Sequence, residues 1–507
     1  MVNQRKSGVI LSYLTLFIKI AIAMVYTPFL IHSLGKSEYG IFNITVSILS
    51  YMAILDFGVN DSTIRYLVQI KNQLNLPKSK EILAGINLFY SSIGIGIIGI
   101  GTLLYFNLDT FFGQSMDGRE IYLLEITFLI ALVSTLFSIV MNPFSAILMA
   151  YEKFALLKWI ELISYLLTTG LIVVFLLLGY KLVAVVYISA IINILGIVYK
   201  IYYVKRKLKF PYSLLQYSTQ TIKTLLNYSS PIFLVVVVEQ IYWKLDNILI
   251  GSYLGASMVA IYAAGIFFQK YILSFSTSIS RVMIPNFIDK LDQNVDLRER
   301  SRLYIKVGRI QLMSILLIVT TLGLYGYEFI QLWLGPDFTL SYYVLLAIMI
   351  PQSLEVVGNI RNTVLQVKGL YWFRARLIFF ISLINIGFTI YFLKVHQSIV
   401  LAAVSTGVGI LLGYIIINTY IHIKQLLDIK YFILSTWIAI LPTILILGIA
   451  NIGLSFMVAD RWFPFFIKIG IHIAICIWTL YLIYMNTEEK NMIKKLVNQL
   501  KTKIVGG

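Results

Sequence analysis

Residues 235–251 read VVVVEQIYWKLDNILIG and join an apolar run to three ionisable side chains. The four valines are typical of a helix that crosses a membrane, because hydrocarbon favours an apolar surface. Glu239, Lys244 and Asp246 follow them directly, and each such group is costly in lipid unless it faces a bundle interior or a water-filled cavity. The stretch therefore predicts membrane helices that surround a polar interior.

The whole chain has the composition of an integral membrane protein. Of its 507 residues, 59% are hydrophobic and 13% are charged, whereas a soluble domain carries about 25% charged residues. The net charge is +18, but the basic residues lie in short segments between apolar runs, so nucleic acid is not expected as a partner. The single cysteine, Cys476, excludes a disulfide framework. No catalytic, metal-binding or cofactor-binding constellation is visible, so we predict neither an enzyme nor a cofactor.

Fourteen apolar stretches are long enough to cross ~30 Å of hydrocarbon. They lie near residues 8–31, 40–57, 82–106, 121–149, 157–178, 182–200, 226–250, 258–281, 307–325, 342–363, 377–393, 398–422, 431–451 and 463–485. The distribution of Lys and Arg tests this assignment, because these residues concentrate in cytoplasmic loops. With the N-terminus inside, the outer loops hold only Lys36, Arg119, Lys181, Lys394 and Arg461. Both termini are therefore predicted to be cytoplasmic, with a basic tail at 486–507.

Two pairs of segments indicate an internal duplication, with chance similarity among apolar segments as the alternative. FLIHSLGKSEYGIF (29–42) aligns with LIGSYLGASMVAIY (249–262), and ILMAYEKF (147–154) aligns with VLQVKGLY (364–371). The similar spacing of the two matches predicts two lobes of six helices each, at 1–210 and 211–425, followed by helices 13 and 14 at 426–485. The predicted fold class is therefore all-α, a polytopic membrane protein with two pseudo-symmetric lobes. Transporters built from parallel repeats bind their substrate between the halves.

Polar side chains form stripes on several predicted helices, since positions three and four apart share a helical face. The tenth helix is the clearest case, with Gln352, Glu355, Asn359, Asn362 and Gln366. We expect a central substrate-binding cavity lined by Lys19, Glu239, Asp246, Lys270, Gln352, Glu355 and Asn359. Hydrogen bonding between packed helices, or private ion pairs such as Lys270 with Glu355, would also explain these stripes.

Three arginines lie at the predicted inner mouth of the bundle: Arg65, Arg281 and Arg361. Each one could reach the membrane interface by snorkelling. Together they could receive a phosphate from the cytoplasmic leaflet, because guanidinium matches phosphate geometry. We therefore predict a cytoplasmic entrance at these residues.

Several local patterns resemble those of the polysaccharide transporter family, the Wzx-type flippases of the multidrug/oligosaccharidyl-lipid/polysaccharide exporter superfamily. They are YTPFLIHSLGKSEYGIFN (26–43), LDFGVNDSTIRY (55–66), SPIFLVVVVEQIYWKLDNILIGSYLGASMVAIYAAG (230–265) and EFIQLWLGPDF (328–338). The resemblance implies a fold like that of multidrug and toxin extrusion (MATE) exporters. It also implies movement of an undecaprenyl-pyrophosphate-linked oligosaccharide to the outer leaflet of a bacterial plasma membrane by alternating access.

Our leading hypothesis is a flippase for such a lipid-linked unit, serving capsule, exopolysaccharide or O-antigen assembly. One rival is a cation-coupled exporter of small amphipathic molecules, because Glu239, Asp246 or Glu355 could bind a coupling H⁺ or Na⁺. Another is a membrane polymerase or ligase acting on the same lipid. The expected partners are the lipid-linked oligosaccharide, membrane lipids and a polysaccharide polymerase.

Overall fold

The computed structural model describes most of the chain. The residues described are 2–56, 59–60, 63–64, 67–68, 76–208, 219–292, 296–457, 461–492, 494 and 498. Within these ranges, some side chains lie outside the description, among them those of residues 2–10, 76–83 and 219–232 and that of Glu239.

The described residues form helices and no strand. In chain order the helices are α1 (Val2–Ser50), α2 (Leu76–Phe112), α3 (Gly118–Val140), α4 (Asn142–Ala150), α5 (Phe154–Leu177), α6 (Leu182–Tyr202), α7 (Thr219–Leu254), α8 (Ala256–Gly265), α9 (Gln269–Asp292), α10 (Leu297–Leu334), α11 (Leu340–Val356), α12 (Arg361–Val367), α13 (Tyr371–His396), α14 (Ile399–Ile423), α15 (Ile429–Phe432), α16 (Ala439–Ser455) and α17 (Trp462–Thr479). The all-α membrane fold is as predicted.

The chain forms two compact units. Unit 1 comprises residues 1–263 and 378–402, and unit 2 comprises residues 264–377 and 403–507. In unit 1, α3 packs against α2 and α6, and α1 packs against α3 and α5. In unit 2, α10 packs against α9, α11 and α17. The lobe boundaries expected from the repeat stay a prediction.

Twelve segments among the described residues are long and apolar enough to cross a membrane. One of them, Leu14–Asp56, has 43 residues and overlaps most of both of the first two predicted spans. The predicted span at 226–250 lies in α7, whose side chains are only partly described. The protein is therefore a multi-pass membrane protein, while the count of fourteen spans stays a prediction.

The two glycines aligned by the first repeat match have the same left-handed backbone. Gly35 kinks α1 with φ 81°, and Gly255 separates α7 from α8 with φ 82°. Only glycine adopts this region without steric cost. The shared Leu-Gly pattern therefore marks the same local bend in both copies.

The second repeat match has a matching backbone as well. Glu152 and Gly369, which the match aligns, both have positive φ, at 57° and 71°. The N–H groups that follow them close equivalent helix ends, from Lys153 to the Leu148 carbonyl and from Leu370 to the Leu365 carbonyl, as in a Schellman motif. The two copies therefore share this turn.

A helix is interrupted shortly before each of these turns. α3 gives way to α4 at Met141, and α11 gives way to α12 across residues 357–360. The expectation of a continuous tenth helix over 342–363 was wrong, because Gly358 has φ 77° and the chain leaves the helix there. The five-residue polar stripe consequently divides between two helices.

Candidate functional site

Unit 1 contains a cavity of about 810 Å³ between α1, α4, α5 and α6. Its polar lining includes Lys158, Glu161, Ser164, Tyr165, Asn193 and Lys200. Apolar side chains complete the wall, among them Leu157 and Ile192. A polar cavity inside a membrane bundle is where ionisable groups are tolerated.

Glu161 is held between two lysines at this cavity. Lys19 Nζ lies 2.5 Å from Glu161 Oε1, and Lys158 Nζ lies 2.7 Å from Glu161 Oε2. The Lys19 ammonium also lies 5.3 Å from the centre of the Tyr165 ring, within the range of a cation–π interaction. With Lys200 added, three cations face one carboxylate. The cluster therefore has an excess of positive charge suited to an anionic group.

The local sequence explains how this cluster forms. Lys158 and Glu161 are three residues apart on α5, so they share a helical face. Lys19 reaches them from α1, which packs against α5. Sequence reasoning had selected Lys19 but missed Glu161. The available signal was an acidic residue inside an apolar span, the same criterion that selected Glu239.

Asp246 lies in a buried contact within unit 1. Its side chain is 5% exposed, and it accepts a hydrogen bond of 2.5 Å from the Tyr262 hydroxyl. The neighbouring Asn247 donates to Ser47 Oγ at 2.9 Å. The side chain of Glu239, on the same helix, lies outside the described residues, so the expectation that both acids line a central cavity stays a prediction.

Unit 2 joins Glu355 and Arg361 across the break between α11 and α12. They form an ion pair through Arg361 Nη2 and Glu355 Oε2, and the Arg361 side chain is fully buried. Arg361 Nη1 also donates to the Glu355 and Gly358 carbonyls, at 3.2 and 3.3 Å. A second arginine, Arg374, lies 3.9 Å from Glu355. Glu355 therefore has arginine partners in place of the lysine considered from the sequence.

Gln352 lies on α11 before the same interruption, and Asn359 lies within it. Asn359 Oδ1 accepts hydrogen bonds from Ser280 and from Gln311 Nε2, the latter at 3.1 Å. Gln311 Oε1 in turn accepts the Gly358 N–H at 2.8 Å. Gln352 is 2% exposed, with a long contact of 3.4 Å to the Gln269 carbonyl. This part of the predicted site is a buried hydrogen-bond network.

The other predicted site residues lie elsewhere. Lys270 is exposed, with its ammonium 5.1 and 5.0 Å from the centres of the Phe267 and Tyr271 rings. Arg281 is exposed, while Arg361 is fully buried. Arg65 lies outside the described residues. The structure thus places Glu355, Asn359 and Arg361 near one another in unit 2, whereas Lys19 belongs to a separate cluster in unit 1. The central cavity between the halves and the arginine entrance stay predictions.

Two buried ion pairs of unit 2 were not expected from the sequence. Lys468, which is 2% exposed, lies 2.7 Å from Glu328 Oε1. Arg309 lies 2.7 Å from Glu489 and also donates to the Tyr484 and Ser435 carbonyls. The hydropathy of the sequence locates the spans, but it does not reveal the partner of a charged residue.

These features define a multi-pass membrane protein of the transporter class, with paired broken helices and polar clusters inside its bundles. The chain matches the family described as "Polysaccharide biosynthesis protein" over residues 6–291, and it belongs to that family. The predicted resemblance is therefore confirmed.

Proteins of known name that are similar to this chain are also of the transporter class. An O-antigen transporter of Shigella flexneri is 23% identical over 400 residues, covering 78% of this chain and 93% of the relative. The lipid II flippase MurJ, in an inward closed conformation, superposes with a TM-score of 0.71 and 18% identity, covering 94% of this chain and 99% of that one.

A multidrug resistance MATE transporter, in an inward-facing conformation, superposes with a TM-score of 0.64 and 14% identity, covering 82% of this chain and 98% of that one. At these identities the two structures establish the fold, which is MATE-like as predicted. The relatives are transporters and flippases, not enzymes.

Proposed function

We propose that the protein is a flippase for a lipid-linked oligosaccharide. The observation that carries the proposal is the cavity of about 810 Å³ in unit 1, which is lined by Lys158, Lys200 and Glu161. Lys19 pairs with the same Glu161, so three cations surround one carboxylate. A lipid-linked glycan carries phosphate between its lipid and its sugars. Ammonium groups in a partly dehydrated cavity attract such a phosphate strongly, while hydroxyl and amide side chains can hydrogen-bond to sugars.

The family and the named relatives support this assignment. The family is one of polysaccharide biosynthesis, and the relatives include a transporter of O-antigen and a flippase of lipid II. Both of these cargoes are glycans joined to a lipid. The proposed substrate is an undecaprenyl-pyrophosphate-linked oligosaccharide repeat unit, carried from the cytoplasmic to the outer leaflet of a bacterial plasma membrane by alternating access.

The cellular setting of the proposal follows from the same substrate. A repeat unit delivered to the outer leaflet serves capsule, exopolysaccharide or O-antigen assembly, and a polysaccharide polymerase is the expected partner on that side. The N- and C-termini are proposed to be cytoplasmic, on the distribution of Lys and Arg.

A second candidate is a cation-coupled exporter of small amphipathic molecules. It is favoured by the buried carboxylate of Asp246 beside Tyr262 and by the likeness to a multidrug transporter. A carboxylate inside a membrane bundle can bind a coupling H⁺ or Na⁺. In that case Asp246→Asn would abolish transport of small cationic dyes by cells that make the protein.

The experiment that separates these candidates is depletion of the protein in its source organism. Lipid extracts would be analysed by mass spectrometry, and sidedness would be measured with a membrane-impermeant lectin on intact spheroplasts and on inverted vesicles. The flippase proposal expects lectin-reactive lipid-linked glycan to accumulate in inverted vesicles only. An unchanged lipid pool, or accumulation on the outer face, would contradict it.

The control for depletion is complementation. The wild-type gene should clear the accumulated lipid, whereas a variant with both Lys19→Ala and Lys158→Ala should not. If this double variant, made at normal levels, clears the lipid as fast as wild type, the unit 1 cavity does not serve the substrate.

A further inference from the structure

The beginning of α10 carries a dense set of basic residues. At about 1.5 Å per residue, this helix of 38 residues is roughly 57 Å long, well beyond the ~30 Å of bilayer hydrocarbon. Its N-terminal turns therefore extend past the apolar layer. They hold Arg298, Arg300, Arg302, Lys306 and Arg309, in a segment that the positive-inside rule assigns to the cytoplasmic side.

The cations of this segment differ in their partners. Lys306 lies 3.5 Å from Glu488, and Arg309 is paired with Glu489. Arg300 donates to the Gln425 carbonyl at 2.8 Å. By contrast, Arg298 and Arg302 are exposed and have no ion pair or hydrogen bond among the described residues. Two guanidinium groups on one helical face, four residues apart, are thus available for a ligand.

These two arginines line a cavity of about 560 Å³ between α10 and α15. Lys430 is the third cation of its lining, and it too is exposed with no ion pair or hydrogen bond among the described residues. Asp428 is the one carboxylate among the described lining residues, and its Oδ1 accepts the Tyr431 N–H at 2.9 Å. The cavity therefore has an excess of two positive charges.

An apolar surface begins at the same cavity. Leu434, which lines it, is 47% exposed. Exposed side chains continue from it at intervals of three or four residues, at Ile438 just before α16 and at Leu441, Leu445, Ile449 and Ile452 along α16. Such spacing places them on one helical face. From Leu434 to Ile452 this face is about 27 Å long at ~1.5 Å per residue, which is close to the hydrocarbon thickness.

We propose that this cavity binds the headgroup phosphate of an anionic phospholipid from the cytoplasmic leaflet, with its acyl chains along the exposed apolar face of α16. The two arginines can hold phosphate oxygens in a forked geometry, and Lys430 adds a point charge. Charge complementarity favours an anionic lipid over a zwitterionic one, because the latter carries its own cation. Basic pockets between membrane helices on this side are suited to such headgroups.

The test measures lipid binding by the purified full-length protein. Native mass spectrometry in detergent would follow titration with phosphatidylglycerol and, separately, with phosphatidylcholine. Wild type should bind the first lipid at least roughly tenfold more tightly than the second. The triple variant Arg298→Gln/Arg302→Gln/Lys430→Gln should lose about that tenfold preference, because it removes the three cations whose charge distinguishes an anionic from a zwitterionic headgroup.

The matched control removes three charges from another basic segment. Lys205, Arg206 and Lys207 follow α6, on the same predicted side of the membrane, and are exposed. Their triple Gln variant should keep the lipid preference. An equal loss in both variants would mean that the attraction is a general property of the basic surface, and the proposal would be wrong.

Two further measurements exclude other sources of the effect. Inorganic phosphate or glycerol phosphate at millimolar concentration should not displace phosphatidylglycerol; displacement would identify a small-anion site instead of a lipid site. If the triple variant does not accumulate, Lys430→Gln alone decides the matter, because its exposed side chain makes no structural contact among the described residues. This variant should weaken phosphatidylglycerol binding several-fold, and by more than it weakens phosphatidylcholine binding; no weakening, or equal weakening of both, would overturn the proposal.

Discussion

The two interrupted helices, one in each predicted copy of the repeat, satisfy their backbone groups in different ways. At the α3–α4 interruption, the Met141 N–H donates to the Phe137 carbonyl at 3.1 Å, so the hydrogen-bond ladder continues past the bend. At the α11–α12 interruption, Gly358 has φ 77° and its N–H donates to the side chain of Gln311. Among the described residues, the second interruption thus has a freed backbone N–H held by a side chain from another helix.

The two interruptions also differ in the ions beside them. Asn142 and Ser145, next to the first, line the same cavity as Glu161, Lys158 and Lys200. Glu355 and Arg361 bracket the second, and the arginine is fully buried. Inside a bilayer every freed backbone group requires a partner, and a buried charge requires one even more. We infer that the second interruption is a rigid structural element, whereas the ions near the first remain accessible to a ligand.

Removal of the buried arginine should have the largest effect on stability. Arg361→Met leaves Glu355 without its nearest cation, and loss of one partner from a buried pair costs about 3 to 5 kcal/mol. The measurement is unfolding of the purified protein in mixed micelles by titration with dodecyl sulfate. Arg374→Met is the control, because its 3.9 Å contact with Glu355 is longer and its side chain is partly exposed, so about 1 kcal/mol or less is expected.

A double variant makes this prediction sharper. Glu355→Gln/Arg361→Met removes both charges and should recover most of the loss, because replacing a buried ion pair with uncharged residues is often nearly neutral. The Arg361 guanidinium carbon also lies 5.1 Å from the centre of the Tyr414 ring. If the double variant is as unstable as Arg361→Met, the arginine stabilises the protein through such contacts and not through its pairing with Glu355.

Gly358→Ala should have the next largest effect. A Cβ at this position would lie 2.8 Å from Phe432 Cζ and 2.8 Å from the Tyr304 hydroxyl. The left-handed backbone adds its own strain, so we expect a loss of about 2 to 3 kcal/mol in the free energy of unfolding. The control is Gly369→Ala, where φ is 71° but nothing lies within 4 Å of the added Cβ. Gly369→Ala should lower the free energy of unfolding by only about 1 kcal/mol. Equal losses in the two variants would show that the close contacts at Gly358 do not contribute to the destabilisation.

The same two regions show which features of the fold could be predicted from the sequence and which could not. Hydropathy located the spans, and the Leu-Gly matches located bends that recur in the structure at Gly35 and Gly255. The pairing of Glu355 with Arg361 could not be predicted from the sequence. Residues six apart on a continuous helix are separated by about 240° around the axis and ~9 Å along it, so a helical stripe cannot pair them. Only the non-helical turn at Gly358 brings them together.

The cluster in unit 1 was predictable in part for a different reason. Lys19 was recognisable as a cation within an apolar span, but its partner Glu161 is 142 residues away. Contact between them depends on the packing of α1 against α5, which no local pattern specifies. The sequence thus identifies ionisable residues that are energetically unfavourable in lipid, whereas the partners that compensate them depend on the tertiary structure.

Lys19→Ala should change transport far more than stability. The Lys19 side chain is 29% exposed and that of Glu161 is 41% exposed, and ion pairs of this kind contribute about 1 kcal/mol or less. Loss of a cation that contacts a substrate phosphate should lower the transport rate roughly tenfold. The readout is clearance of accumulated lipid-linked glycan after induction of the variant. Lys394→Ala, at an exposed position in a predicted outer loop, should be indistinguishable from wild type, and equal defects in both would remove Lys19 from the proposed site.

Glu152→Gly should have the smallest effect. It tests whether the two turns aligned by the repeat have the same preference for glycine at the residue with positive φ. Glu152 has φ 57° at the position where the second copy has Gly369. A non-glycine residue costs about 1 to 2 kcal/mol in this region, while glycine loses about 0.4 to 1 kcal/mol through greater freedom in the unfolded chain. The substitution should therefore raise the free energy of unfolding by about 0.5 kcal/mol, measured by the same dodecyl sulfate titration. A loss of stability would mean that contacts of the Glu152 side chain outweigh the relief of backbone strain, and that the two turns, although alike in conformation, are stabilised differently.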